Sequence, residues 1–302
     1  MKVALIGYGE VGRILAEDLG AGGHAVTAFD LKLASAAGEP LRAHAAAHGV
    51  TLAESHATAV ARAGLVISAV TADQTVPAAD ACAGGLPTGC LFLDLNSASP
   101  GAKRQAAAAV TRAQGRYVEG AVMTSVPPHR LQVPLLVGGP HAAEALPVLA
   151  ALGFSARVAS AQLGIASATK MCRSVMIKGL EAMVIESFTA ARYHGVEDAV
   201  LASLGETFPG IEWEKQASYF FQRAIEHGRR RAEEMREAAV TVGEAGLEPW
   251  SAAATADRQA WMAALVERRT FGEPGASGFA RSTDWRTEAD RILEQLGVSQ
   301  EG

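Results

Sequence analysis

Residues 1–30 read MKVALIGYGEVGRILAEDLGAGGHAVTAFD, and this stretch decides the fold. An apolar run over residues 3–6 leads directly into the glycine pattern Gly7-Tyr8-Gly9-Glu10-Val11-Gly12. An amphipathic helical pattern comes next, and a second apolar run over residues 25–29 ends on Asp30. The order strand, glycine-rich turn, helix, strand and acid predicts the first βαβ unit of a doubly wound α/β sheet.

Each glycine of the pattern has a mechanical task in such a unit. Gly7 makes the tight turn out of the strand, Gly9 lets the backbone approach a pyrophosphate, and Gly12 lets the helix pack close to the sheet. The helix N-terminus offers free N–H groups and a partial positive charge to phosphates. The six residues of the pattern are therefore predicted to bind a dinucleotide cofactor.

Asp30 indicates which dinucleotide is bound. A carboxylate at the end of the second strand accepts hydrogen bonds from both ribose hydroxyls of NAD and repels the 2′-phosphate of NADP. Lys32, two residues later, softens that repulsion. We therefore predict NAD as the cofactor and keep NADP as an alternative.

The composition excludes several other classes of function. The 302 residues, 49% of them hydrophobic, suffice for about two domains, and a net charge of −5 argues against a nucleic-acid partner. Cys82, Cys90 and Cys172 form no CxxC pattern, so we expect neither a disulfide framework nor a metal site. Because an apolar strand starts directly after Met1 and Lys2, we expect no signal peptide, no membrane span and a cytoplasmic protein.

Strand and helix patterns alternate as far as residue 160. The predicted strands cover residues 3–7, 25–30, 65–69, 91–94, 117–121, 135–138 and 155–158, and the predicted helices between them cover 11–19, 40–48, 57–63, 102–113 and 141–152. This alternation predicts a parallel, doubly wound Rossmann domain over residues 1–160.

Only helical patterns remain after residue 160. They cover residues 165–194, 197–204, 211–224, 226–245, 250–268 and 284–296, with a glycine-rich loop over 270–282. The sequence therefore predicts an all-α second domain over residues 161–302.

Three further segments, together with the glycine pattern, resemble one family. They are Asp94-Leu95-Asn96-Ser97-Ala98-Ser99-Pro100, then Tyr117-Val118-Glu119-Gly120-Ala121-Val122, then Gly164 followed six residues later by Lys170-Met171-Cys172-Arg173-Ser174. In order and spacing the first 185 residues resemble the β-hydroxyacid dehydrogenase superfamily, which includes 3-hydroxyisobutyrate and 6-phosphogluconate dehydrogenases. The remainder resembles a branch with a divergent 6-phosphogluconate-dehydrogenase-like C-terminal domain. The resemblance implies an NAD(P)-dependent oxidoreductase that forms a homodimer and acts on a small-molecule substrate.

The resemblance assigns the proton-transfer step to Lys170. Alcohol oxidation needs a base for the hydroxyl proton as the hydride leaves, and the reverse reaction needs an acid. The alternative is a solvated helix lysine, although neighbouring Met171, Val175 and Met176 are apolar.

The segment after the fourth predicted strand is assigned to binding. Asn96 and Ser97 are expected to hydrogen-bond the nicotinamide or the substrate, and Val70 and Thr71 to contact the cofactor. The alternative is a Ser/Asn turn, because Ser99-Pro100 is also typical of a helix N-cap.

Two departures from the family pattern concern the substrate. The family carries an asparagine one turn after its lysine, where this chain has Ser174, and Ser-Gly-Gly where this chain has Met123, Thr124 and Ser125. Without the two glycines the backbone cannot approach a carboxylate as closely. We expect Thr124, Ser125 and Ser174 to supply hydroxyl donors, Met123 to add an apolar wall, and the pocket not to suit the simplest 3-hydroxy acid.

Several charged residues have two open interpretations. His227 and Arg230 are predicted to bind a substrate carboxylate or phosphate, or else Arg229–Glu233 and Arg230–Glu234 form a salt-bridged helix face. His129 lies in the altered loop and is more typical of a solvated histidine. Lys178 and Glu181 either reach the active site or form a surface pair.

The sequence as a whole predicts hydride transfer between a nicotinamide and a hydroxy acid or a related alcohol or carbonyl compound. One alternative keeps the fold and reduces a C=N bond, as imine reductases do, although those enzymes usually replace the lysine that this chain retains. The other is a non-catalytic protein that senses dinucleotides.

Overall fold

An eight-stranded sheet organises the first part of the chain within residues 1–277 and 279–298, which the computed structural model describes. The strands are β1 (Lys2–Ile6), β2 (Ala25–Phe29), β3 (Thr51–Leu52), β4 (Leu65–Ser68), β5 (Leu91–Asp94), β6 (Arg116–Val122), β7 (Leu135–Gly138) and β8 (Ala156–Ser160). The helices that accompany them are α1 (Glu10–Ala21), α2 (Glu39–Ala47), α3 (His56–Val60), α4 (Thr75–Ala83), α5 (Pro100–Arg112) and α6 (Ala142–Ala151).

The strands lie in the order β3-β2-β1-β4-β5-β6-β7-β8, and the chain reverses its direction of travel between β1 and β4. All neighbours pair in parallel except β6 and β7, which are antiparallel. A parallel pairing needs a crossover of a dozen or more residues that is usually helical, whereas the segment 123–134 holds only a short 3-10 turn. The predicted doubly wound sheet is present, with this one antiparallel step.

Helices cover both faces of the sheet, as a buried parallel sheet requires. Alternate residues of β1 face opposite sides: Val3 and Leu5 pack with α1, α2 and α6, whereas Ala4 and Ile6 pack with α3, α4 and α5. The carboxyl ends of β1 and β4 therefore lie side by side at one edge of the sheet, and helices cover both of its faces. Ligands bind at this switch point in doubly wound sheets.

The rest of the chain is helical over its described residues. The helices are α7 (Ile165–Tyr193), α8 (Glu197–Thr207), α9 (Trp213–Glu244), α10 (Trp250–Glu267) and α11 (Trp285–Gln295). The chain divides into a first unit, Met1–Met171, and a second unit, Cys172–Gly302. The core of the second unit is built on aromatic side chains, chiefly Phe188, Phe221 and Trp285.

Three elements differ from the sequence prediction. β3 was not predicted because two residues show no alternation, and α4 was not predicted because it contains Pro77. Pro77 lies in the first helical turn, where a missing N–H removes no hydrogen bond. The two helices predicted over 211–224 and 226–245 are one helix, α9.

Gly228 lies where α9 packs against α10. A Cβ atom at Gly228 would lie 2.7 Å from the carbonyl oxygen of Gln259 in α10. The glycine therefore permits close packing of two helices. No helix in the described part of the chain is both long enough and apolar enough to span a membrane.

Candidate active site

The glycine-rich loop lies at the switch point between β1 and β4. Gly7 has φ +91°, and a Cβ atom there would lie 2.4 Å from the carbonyl oxygen of Ala69, after β4. A Cβ atom at Gly12 would lie 2.2 Å from the carbonyl oxygen of Gly7. At Gly9, by contrast, an added Cβ would have no atom of the described residues within 4 Å. Gly7 and Gly12 are thus required by packing, whereas Gly9 faces space that a ligand can fill.

The surroundings of this loop fit a dinucleotide. Helix α1 begins after Gly9, and no side chain of the described residues caps its N-terminus, so its first N–H groups can serve phosphates. The Asp30 carboxylate accepts hydrogen bonds from the backbone N–H of Tyr8 (2.8 Å) and of Lys32 (2.9 Å). Each carboxylate oxygen keeps lone-pair capacity for a ribose hydroxyl. The first turn also contains Glu10, which is exposed, and Val11, which packs on the core.

The side chain of Tyr8 points away from this edge of the sheet. It is fully buried, its hydroxyl lies 2.9 Å from Nδ1 of His44, and burial raises the pKa of Tyr8 to about 12. Tyr8 was predicted to bind the cofactor, and only its backbone remains available for that at the glycine-rich loop.

Glu17, His44 and His48 bring their side-chain oxygen and nitrogen atoms within 4.8 Å of one another. Nε2 of His44 lies 2.9 Å from Glu17, and Arg130 donates to the other oxygen of Glu17 at 2.7 Å. These two hydrogen bonds lower the pKa of Glu17. The rings of His44 and His48 stack with centroids 4.4 Å apart, so their in-plane lone pairs do not converge on one ion. The group is best described as a hydrogen-bond network behind Tyr8.

Asn96 joins the loops that follow β4 and β5. Its Oδ1 accepts from the backbone N–H of Val70 (2.7 Å), and its Nδ2 donates to Ser68 (3.0 Å). Asn96 is buried, so its side chain fixes the arrangement of these two loops at the carboxyl ends of the strands. Thr71 is exposed beyond this contact, and its hydrogen bond to Asp73 lowers the pKa of that carboxyl.

A buried charged cluster that sequence reasoning missed lies behind Asn96. Asp94 accepts hydrogen bonds from Lys103 (2.8 Å), from the hydroxyl of Tyr117 (2.6 Å) and from the backbone N–H of Asn96 (2.9 Å). Burial, and then the charge of Asp94, raises the pKa of Tyr117 well above its usual value. The predicted N-cap is confirmed, because Ser99 accepts from the backbone N–H of Ala102 at the start of α5. The motif 94–100 is therefore anchored at both of its ends.

Lys170 and Ser97 are brought together across 73 residues of sequence. Nζ of Lys170 donates to Oγ of Ser97 at 2.5 Å, and both side chains are partly buried. The two residues were assigned to the site by separate motifs, and their contact places an amine beside the loop after β5.

Glu119 anchors the start of α7, the helix that carries Lys170. This fully buried carboxylate accepts from the backbone N–H groups of Gly164 (3.0 Å) and Ala166 (2.9 Å) and from Oγ of Ser167 (3.1 Å). It satisfies N–H groups at the helix N-terminus and interacts favourably with the helix dipole. Its position inside the motif 117–122 was a signal whose role could not be assigned without tertiary structure.

The residues of the loop after β6 that were predicted to bind the substrate lie in different surroundings. Met123 packs with Ala121 and Ala166 in a small apolar cluster, Thr124 is exposed and Ser125 is half-buried. His129 is exposed. Arg130, which sequence reasoning passed over, ties this loop to α1 through Asp18 (2.8 Å) and Glu17.

In the second unit, Ser174 belongs to a buried polar cluster on α7 and α9. Nζ of Lys178 donates to Oγ of Ser174 (3.1 Å) and pairs with Glu234 (3.0 Å). Glu181 pairs with Arg231 instead of Lys178 and also accepts from Gln259 of α10. Both Lys178 and Glu181 are buried, which excludes the surface pair that their spacing suggested.

His227 and Arg230 lie on α9 in different surroundings. His227 is half-buried, and burial followed by the charge of Arg223 lowers its pKa to about 4. Arg230 is exposed and donates to Glu234 at 3.0 Å, which is one of the two ion pairs considered from the sequence. The other does not hold, because Arg229 pairs with Glu267 of α10. Arg223 has a lowered pKa through burial and the nearby charge of Arg231.

Residues 2–161, more than half of the chain, match the family model described as the NAD binding domain of 6-phosphogluconate dehydrogenase. The chain belongs to this family. Residues 191–262 match a domain of unknown function, DUF1932. NAD as the cofactor, predicted from the glycine pattern and Asp30, is thereby supported by family membership, as is the predicted divergent C-terminal domain.

Solved structures agree with this assignment. A conserved hypothetical protein from Sinorhizobium meliloti 1021 is 38% identical, with 96% of each chain covered and a TM-score of 0.74. A conserved protein of unknown function, described as structurally similar to 3-hydroxyacid dehydrogenases, is 29% identical over 87% of this chain and 98% of its own, with a TM-score of 0.68. The 3-hydroxyisobutyrate dehydrogenase of Mycobacterium tuberculosis, solved with L-serine, shares the fold at 20% identity, with 96% of this chain and 98% of its own covered and a TM-score of 0.71.

Proposed function

We propose that this protein is an NAD-dependent oxidoreductase that interconverts a small hydroxy acid, or a related alcohol, and its carbonyl compound, with Lys170 as general acid and base. The observation that carries the proposal is the 2.5 Å contact between Nζ of Lys170 and Oγ of Ser97, beside the edge of the sheet where the glycine-rich loop lies. The alternative of a solvated helix lysine does not account for a partly buried amine held by a second motif residue.

Lys170 moves the proton in this proposal. When bound, NAD(H) supplies or accepts the hydride through its nicotinamide. In the oxidation direction, the neutral amine of Lys170 takes the proton of the substrate hydroxyl; in the reduction direction, the ammonium returns a proton to the carbonyl oxygen. Ser97 accepts one N–H of Lys170 and so limits the directions in which Nζ can face.

The other residues of the first unit hold the reactants. Gly9 and the N-terminus of α1 take the pyrophosphate, Asp30 takes the ribose, and Asn96 keeps the loops after β4 and β5 in register beneath them. Thr124 and Ser125 supply hydroxyl donors for the substrate carboxylate. Because Met123 packs into an apolar cluster, it serves as a wall and not as a polar contact.

A substrate panel tests the proposal. The protein is incubated with NADH or NADPH together with one substrate at a time, and the loss of cofactor absorbance is followed. The substrates are methylmalonate semialdehyde, succinic semialdehyde, glyoxylate and the imine 2-methyl-1-pyrroline. Reduction of a carbonyl compound supports the proposal. Reduction of the imine alone would replace it with imine reduction, and binding of NADH without any turnover would favour the dinucleotide sensor.

The proposal extends to the setting of the reaction. Helix α7 exposes Met176 and Met183, one heptad apart, which favours a homodimer formed through the second unit. Three free cysteines, two of them buried, favour a reducing compartment such as the cytoplasm. Light scattering at several concentrations measures the predicted dimer, and a monomer at all of them would contradict it.

A further inference from the structure

We infer that a buried polar cluster of the first unit positions the amine of Lys170. The cluster consists of Asp94, Lys103 and Tyr117, and it acts through the turn that carries Ser97. All of these residues lie within Met1–Met171. The inference rests on the proposed function, because proton transfer is what requires a fixed amine. It assigns a role to three side chains that the glycine pattern and the lysine motif leave unused.

Asp94 is the last residue of β5, and its side chain bends the chain that follows. Its Oδ1 accepts a hydrogen bond from the backbone N–H of Asn96 at 2.9 Å, which closes a turn of the Asx type. The hydroxyl of the next residue, Ser97, accepts from Nζ of Lys170. The bond to Asp94 therefore sets where the chain places Ser97, and through Ser97 the direction of the amine.

The other two members of the cluster keep the Asp94 carboxylate in place. Nζ of Lys103 donates to Oδ1 of Asp94 at 2.8 Å and to its backbone carbonyl at 2.9 Å. The hydroxyl of Tyr117 donates to Oδ2 at 2.6 Å. All three side chains are at most 2% exposed, so rotation of the carboxylate out of the turn would break both contacts where water does not replace them.

Stability alone does not account for Lys103. It is the fourth residue of α5, close behind the N-cap Ser99, where the helix dipole disfavours a cation. Burial of its charge also carries a desolvation cost that the attraction to Asp94 offsets only with good geometry. Apolar side chains of similar volume often stabilise a core equally well. What the charged pair adds is a defined orientation of the carboxylate that closes the turn.

A series of replacements separates this orientation from stability. Lys103→Met alone leaves the Asp94 carboxylate buried without its cation. Adding Asp94→Asn removes that charge and keeps an oxygen for the N–H of Asn96, whereas adding Asp94→Leu removes the charge and the oxygen together. Asparagine and leucine share the branched shape of aspartate, so the two double variants differ chiefly in whether the turn has an acceptor.

Two properties are measured for each variant. The first is turnover of the best carbonyl compound of the panel at saturating NADH. The second is the rate of reductive methylation of Lys170, followed by peptide mass spectrometry with Lys215, whose side chain is 78% exposed, as the internal reference. Leu149→Ala is the control for destabilisation, because it opens a cavity in the core cluster on the face of the sheet opposite Tyr117. Melting temperatures are recorded for all variants.

We expect Lys103→Met, alone or with Asp94→Leu, to lower turnover about a hundredfold, the usual effect of displacing a catalytic group by about 1 Å. Asp94→Asn should rescue most of that turnover in the Lys103→Met background, because the turn regains its acceptor. Methylation of Lys170 relative to Lys215 should become faster wherever turnover falls. Leu149→Ala should lower the melting temperature and change neither property. If the leucine variant does not fold, Asp94→Ala in the same background replaces it, since it removes the same acceptor with a smaller side chain.

Equal turnover of the asparagine and leucine double variants would overturn the inference. A loss in Leu149→Ala as large as in Lys103→Met would also overturn it, and so would unchanged methylation of Lys170 in the leucine variant. In each of these cases the proposed function stands if the wild type reduces a carbonyl compound. Conversely, if methylation follows the expected order but the wild type reduces no compound of the panel, the positioning of Lys170 stands and the proposed function alone fails.

Discussion

The three glycines of the loop differ in what a methyl group would meet. At Gly7 and Gly12 it would overlap backbone oxygen atoms, whereas at Gly9 it would enter open space beside the N-terminus of α1. The spacing of the glycines was readable from the sequence, but their separate roles depend on where the loop after β4 lies.

Gly9→Ala should therefore separate cofactor binding from folding. We expect NADH affinity to fall at least tenfold, about 1.4 kcal/mol, because the methyl group occupies space needed by the pyrophosphate, while the melting temperature stays unchanged. Gly84→Ala is the control, since its added Cβ also meets no described atom within 4 Å. Fluorescence titration with NADH measures the effect, and equal affinity in the two variants would place the cofactor elsewhere.

Asp30 controls the choice between NADH and NADPH in this account. We expect tighter binding of NADH, and in Asp30→Asn a smaller difference, because the amide keeps an acceptor for the N–H of Tyr8 but loses the charge that repels a 2′-phosphate. Affinities for both cofactors measured in both proteins test this. A tenfold preference of the wild type for NADPH would mean that Lys32 or another cation dominates.

His227 should make stability depend on pH. Burial and Arg223 lower its pKa to about 4 from an ordinary value of about 6.5, so the folded state favours the neutral ring. Above pH 6.5 His227 is neutral in both states and leaves the free energy of unfolding unchanged. As the pH falls from 6.5 toward 4, the free energy of unfolding decreases, because the unfolded chain binds the proton first. The loss is at most about 3 kcal/mol. Urea unfolding of the wild type and His227→Asn should diverge over this range; parallel curves would contradict the assignment.

At the level of elements, helix α7 depends on a residue of strand β6. Glu119 accepts two backbone N–H groups and one hydroxyl at the start of α7, and it is fully buried. The sequence predicted both elements but not this link, because 45 residues separate Glu119 from Gly164.

Glu119→Gln should destabilise the start of α7. One carboxylate oxygen becomes an NH2 group that faces N–H donors, so we expect a loss of about 2–3 kcal/mol in the free energy of unfolding. Exposed Glu54→Gln is the control. We also expect slower hydride transfer with unchanged NADH affinity, because Lys170 follows directly in the same helix. Unchanged stability would show that the helix end is satisfied in another way.

Periodicity predicted most elements and failed where tertiary contacts decide. A two-residue strand such as β3 exists because it extends the sheet beside β2, and nothing in Thr51–Leu52 marks it. Helix α9 was predicted as two helices, over 211–224 and 226–245, whereas it runs unbroken over Trp213–Glu244. The order of elements follows from local patterns, whereas their exact continuity does not.

For the whole molecule, motifs named candidate residues of the site but not the partners that these residues contact. Lys170, Ser97 and Asn96 were all predicted, while the contact of Lys170 with Ser97 and the use of Asn96 as a link between loops required the fold. The cluster of Asp94, Lys103 and Tyr117 was missed entirely, because three polar residues in separate elements carry no spacing signal. Buried polar networks are specified by tertiary contacts and are the least readable from one sequence.

The central claim is that Lys170 moves the proton during hydride transfer, and Lys170→Met tests it most directly. Methionine keeps much of the length of the side chain but has no proton to exchange. With the best carbonyl compound of the panel, the account predicts a fall in turnover of about two to four orders of magnitude with NADH affinity unchanged, since the glycine-rich loop is untouched. Lys215→Met, at a side chain 78% exposed, should keep full activity. Near-normal turnover in Lys170→Met would contradict the account and move proton transfer to another group.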